Sequence, residues 1–71
     1  ERFAEAERAY KASLDVEPKS GEAWNNLAVL YLFMNRQEDA DRSVAMAEKS
    51  GYKVNPALKD DVRKRLKKTG G

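Results

Sequence analysis

The feature that most constrains this chain is a match with itself at an offset of 34 residues. At that offset Ala6 falls on Ala40, Arg8 on Arg42, Glu5 on Asp39, Glu7 on Asp41, Tyr10 on Val44 and Ser13 on Ala47. A period of that length, carried by small residues at helical spacing, implies two-helix units that stack side by side. Each unit buries against its neighbour a face that it cannot bury alone. Sheet folds are excluded, because no stretch sustains apolar–polar alternation between turn residues. The fold class expected is all-α.

Punctuation divides the chain into four helical segments, 1–16, 21–34, 37–50 and 56–68. The separators are Glu17-Pro18-Lys19-Ser20-Gly21, the shorter break Met34-Asn35-Arg36-Gln37, and Ser50-Gly51-Tyr52-Lys53-Val54-Asn55-Pro56. Asn35 is suited to the left-handed conformation that ends a helix. Ser20 is placed to cap the second segment, with Glu22 at the positive end of its dipole. On a helical wheel Ala23, Trp24, Leu27, Ala28, Leu30, Tyr31 and Met34 form an arc wider than a surface helix needs. The second helix is therefore expected to be packed from more than one side, with Trp24 in the core between facing helices. Glu22, Asn26, Val29 and Phe33 share the opposite arc, with Asn25 and Leu32 at its margin. The third segment offers Ala40, Ser43, Val44 and Ala47, small enough for close axial approach and for bulky neighbours to fill the gap. The first repeats that design with Ala6, Ala9 and Ser13, adding Phe3, Tyr10 and Leu14.

Seventy-one residues make at most one small domain, and its chemistry is bounded by what it lacks. There is no cysteine and no histidine, which removes disulfides, thiolate metal sites and the commonest general base and zinc ligand. The paired acids Asp60-Asp61 and Glu38-Asp39-Asp41 have no third ligand or phosphate-binding glycine loop beside them. Neither an enzyme nor a cofactor is expected. No apolar run reaches the ~18 residues of a membrane span.

Gly21 to Val54 resembles one complete tetratricopeptide repeat, on Trp24, Leu27, Ala28, Tyr31, Ala40, Val44 and Ala47. Two positions depart from the family pattern: Val44 stands where an aromatic is usual, and Tyr52 stands where the closing proline is usual. Residues 1–20 resemble the second helix of a preceding repeat with its turn, through Ala6, Tyr10, Ser13 and Pro18. Residues 55–71 match neither helix of a repeat. Leu58, Val62 and Leu66 form a narrow apolar stripe among charges, as a terminal capping helix with a frayed tail requires. With Glu1 in place of an initiator Met, the chain is expected to be the C-terminal end of a longer repeat array.

The resemblance implies a protein–protein interaction module, a scaffold or adaptor that takes a peptide or partner helix on its concave face. By the same resemblance the lining is Glu22, Asn25, Asn26, Val29 and Phe33, with Asn26 suited to bond a ligand backbone because an amide donates and accepts. Lys59 and Arg63 share a face that suits a carboxylate, or else is simply solvated. Two other readings stay open. Residues 1–16 present Phe3, Ala6, Tyr10 and Leu14 with one side uncovered, which suits a homo-oligomer. The charge split suits an electrostatic module: residues 53–71 hold seven Lys/Arg and two Asp, against seven Lys/Arg and ten Asp/Glu in residues 1–52. Nucleic-acid binding is not expected, since the basic run Arg63 to Lys68 has no aromatic residues for stacking.

Overall fold

The computed structural model describes residues 2–70; Glu1 and Gly71, the ends of the expected first helix and frayed tail, lie outside the described residues. Four helices follow in order: α1 (Phe3–Val16), α2 (Gly21–Phe33), α3 (Gln37–Lys49) and α4 (Pro56–Gly70). Each packs chiefly on its sequence neighbour, α1 on α2, α2 on α3 and α3 on α4. The all-α, tetratricopeptide-like stack of helical hairpins is thus present. One boundary moves: α4 reaches Gly70, so Thr69 and Gly70 continue a helix whose last turn carries Lys67 and Lys68 at the negative end of its dipole.

Local chemistry sets the helix ends. Ser20 caps α2 by accepting the Ala23 N–H at 3.2 Å. Asn55 caps α4 by accepting the Ala57 N–H at 2.8 Å, with Pro56 at the first helical position, where its missing N–H costs nothing. The C-termini of α2 and α3 close identically. Asn35 at φ 60° and Gly51 at φ 96° are the left-handed residues. Asn35 N–H bonds to Leu32 C=O at 3.1 Å and Arg36 N–H to Tyr31 C=O at 2.8 Å. Gly51 N–H bonds to Glu48 C=O at 2.9 Å and Tyr52 N–H to Ala47 C=O at 3.1 Å. Both are Schellman motifs, which satisfy carbonyls that the helix itself cannot.

Small residues bring α2 and α3 together. Ala28, Ala40 and Ala47 are fully buried and Ser43 nearly so, while Leu27, Leu30, Tyr31 and Val44 fill the space between them. Gly21 is part of the same economy of volume. A Cβ there would collide with the Tyr52 Cβ and the Ser50 hydroxyl, so the exit turn of α3 crosses directly over the start of α2. Tyr52, where the repeat pattern favours proline, packs on that glycine. From α4, Val62 is 2% exposed against the core and Leu58 and Leu66 are half-buried. The other positions of α4 are mostly charged.

Two expectations are corrected. Trp24 is half-buried at the edge of the core, because its indole N–H is drawn to the Pro18 carbonyl at 3.1 Å and holds the ring against the 17–20 turn. Leu32, expected at the margin of the open arc, is buried, because α4 lies over it and donates from Arg65 Nη1 to its carbonyl at 3.3 Å. The second helix is indeed covered from several sides.

The core ranking is testable. Leu27, 1% exposed, leaves a cavity on truncation, and Leu27→Ala should cost about 3 kcal/mol. Trp24→Ala should cost less, about 2 kcal/mol, since part of the ring is already in water. Urea denaturation of both variants checks the order, and a larger loss at Trp24 would contradict it.

Candidate functional site

The outer face of α2 is divided by the segment that follows α3. Toward its start, Asn25 borders a cleft formed with residues 52–56. Its Oδ1 is buried without a hydrogen-bond partner, so this side chain belongs to the wall of the cleft rather than its open surface. Glu22 is exposed and Asn26 half-buried. Toward the end of α2, Val29 (37% exposed) and Phe33 (71% exposed) meet Leu58, Asp61 and Arg65 of α4 around a cleft of about 150 Å³. Leu32 forms its floor. An apolar floor thus carries a rim of one acid and one base, themselves joined at 3.3 Å. Asp61 and Arg65 were not anticipated from the sequence. Their i, i+4 spacing marks a helical ion pair and does not reveal which neighbour the pair faces.

Lys59 and Arg63 lie elsewhere. They line the cleft between α3 and α4 with Asp41, Val44, Glu48 and Val62. Lys59 is paired with Glu48 at 2.6 Å, which clamps α4 to α3. Arg63 is exposed, 4.0 Å from Asp60. Lys59 and Arg63 thus lie on a different surface from Glu22, Asn25, Asn26, Val29 and Phe33. On the first helix, Leu14 is buried, Ala6 and Tyr10 are half-buried and Phe3 remains 38% exposed.

The strongest polar cluster joins α1 to the α2–α3 turn. Glu7 accepts the Tyr31 hydroxyl at 2.9 Å and lies 3.2 Å from Arg36 and 3.0 Å from Lys11. Arg36 stacks over the Tyr31 ring, 4.5 Å from its centroid, and pairs with Asp39 at 2.8 Å. The hydrogen bond from Lys11, then that from Tyr31, holds the Glu7 carboxyl below its ordinary range despite partial desolvation. Glu7 in turn raises Lys11. Burial first, and the bond to Glu7 second, raise the Tyr31 hydroxyl, which keeps it a donor. Glu7, Lys11 and Asp39 are surface charges on a helical wheel and Arg36 lies in the turn between helices, so periodicity conceals the cluster. With its titrating groups paired across helices, the cluster reads as a structural clasp.

The candidate site is thus a face of stacked helical hairpins that carries an apolar cleft between α2 and α4. Residues 9–42 match the family model described as Tetratricopeptide repeat, which supports a tetratricopeptide repeat over that stretch. The matched window runs from within α1, through all of α2, into α3. Comparison with curated proteins and with solved structures finds no match. Tetratricopeptide repeats commonly mediate protein–protein interaction, typically with protein partners, and are generally non-catalytic.

The clasp makes a pH prediction. A carboxyl lowered in the folded state contributes stability above its unfolded pKa and loses it as pH falls through the folded value. Glu7→Gln should destabilise the protein by about 1 kcal/mol at neutral pH. That gap should close as the pH is lowered through and below the ordinary glutamate range of about 4.3. Chemical denaturation of both proteins across this range checks it; a gap independent of pH would show that Glu7 acts through packing alone.

Proposed function

We propose that the chain is a scaffold or adaptor module that takes a peptide or partner helix along the outer face of α2. The observation that carries this reading is Phe33, a large apolar side chain 71% exposed beside Val29, at the mouth of a cleft floored by Leu32 and Leu58. Exposed aromatic surface of this kind marks contact sites. Asn26, one turn nearer the start of α2, supplies donor and acceptor for an extended backbone, and Glu22 biases the upper end toward basic residues.

A displayed peptide library selected against the whole chain supplies the probe. Phe33→Ala should weaken the selected peptides about tenfold or more, the size expected for loss of an apolar anchor. Asn26→Ala should weaken them less, and Lys59→Gln should leave them unaffected because that ammonium faces Glu48 on α3. Selected peptides that bind Phe33→Ala as well as the parent chain would refute the groove.

A second reading, self-association through α1, draws support from Phe3, 38% exposed beside the half-covered Tyr10. Symmetric docking of that face would cover both. Sedimentation at increasing concentration should then show a dimer that Phe3→Glu abolishes; a monomer throughout would eliminate it.

A further inference from the structure

A second cleft, of about 530 Å³, opens where the 17–20 turn meets the last turn of α3. It is lined by Pro18, Lys19, Trp24, Met46, Lys49 and Ser50, and shares no residue with the Phe33 cleft. Its floor is apolar and preset. The Trp24 indole is fixed by its bond to the Pro18 carbonyl at 3.1 Å, and the Met46 thioether beside it is 37% exposed. Tryptophan offers a large rigid surface, and methionine adapts to the shape laid on it. The Ser50 hydroxyl is turned away, donating to the Ala47 carbonyl at 2.6 Å.

The rim is positive and uncompensated. Lys19 and Lys49 are both exposed, and among the described residues neither has an ion-pair partner. Lys11 and Lys59, by contrast, are each paired with a glutamate. No carboxylate lines the cleft. An apolar floor between two unpaired ammonium groups is complementary to one kind of occupant, a bulky apolar side chain flanked by carboxylates. We propose that this cleft is a second binding site, for an acidic peptide segment of a protein partner that lays one large apolar side chain on Trp24 and Met46 while its carboxylates meet Lys19 and Lys49. A volume of this order, in the range of ~300–1,000 Å³ typical of pockets for compact ligands, takes such a side chain and not a whole helix. The proposal is independent of the Phe33 groove.

Trp24 is the only tryptophan in the chain, so its fluorescence reads occupancy directly. The probe is an acetylated and amidated peptide, Asp-Asp-Leu-Asp-Asp, titrated into the whole chain at low salt. A saturable blue shift with a midpoint of about 1 mM or below is expected. The Lys19→Gln/Lys49→Gln double variant should weaken it about tenfold, as should raising the salt to about 0.5 M. Peptides with asparagine for aspartate, or serine for leucine, should give no saturable shift. Absence of a saturable shift, equal binding of the asparagine peptide, or an unchanged midpoint in the double variant would each overturn the site. Far-UV circular dichroism verifies the fold of the double variant. Should it lose helicity, Lys19→Gln alone, in a turn outside every helix, gives the same reading. Phe33→Ala should leave the titration unchanged, and weakening by that variant would assign the peptide to the other groove and overturn the proposal.

Discussion

One backbone angle organises the middle of this protein. Asn35 adopts a left-handed conformation, and the chain leaving α2 is thereby folded back so that Arg36 lies on the ring of Tyr31. In the usual Schellman ending an apolar contact joins these two positions. Here a cation–aromatic contact takes its place, and the guanidinium keeps its hydrogen bonds for Glu7 and Asp39. The result reaches three helices. Tyr31 and Arg36 both bind Glu7 on α1, and Arg36 binds Asp39 in the first turn of α3. A residue that reads as a mere helix stop thus sets the relation of α1 to the hairpin beside it.

The same device recurs at Gly51 with a different purpose. There the left-handed turn sends Tyr52 across Gly21, and the following segment runs beside Asn25 until Asn55 and Pro56 start α4. The position of α4 decides which part of α2 stays open. It covers Leu32, fixes Arg65 on the Leu32 carbonyl, and leaves Val29 and Phe33 at the border of its own Leu58. The candidate groove is therefore a product of α4 as much as of α2.

What the sequence disclosed follows from what periodicity measures. Burial of Ala40, Ser43, Val44 and Ala47, the Ser20 cap and the Asn35 stop depend on local spacing and local chemistry, and each is where the pattern puts it. Trp24 was misjudged because a wheel assigns a side chain to an arc without regard to its polar atom, and the indole N–H found the Pro18 carbonyl. Leu32 was misjudged because its cover comes from a helix more than twenty residues away, whose approach no local pattern encodes. Glu7 and Lys59 carry the inter-helix ties, yet in a chain with 37% charged residues nothing marks those two from the rest. The groove residues of α2 could be grouped by their shared arc; that Lys59 and Arg63 belong to a different surface required the packing angle of α4.

The neighbour-to-neighbour packing has a consequence for how the chain assembles. Since α1 rests on α2, α2 on α3 and α3 on α4, most tertiary contacts close over the span of a single hairpin. Short closures forfeit little chain entropy before contact is made, which places such a topology among the fast folders. The central α2–α3 hairpin, with its alanines interlocked, is the natural nucleus, and α1 and α4 add to it from opposite sides. Neither end depends on the other having docked. The clasp at Glu7 and the Lys59–Glu48 tie then act as separate latches, so that one terminal helix can open while the hairpin and the opposite helix keep their register.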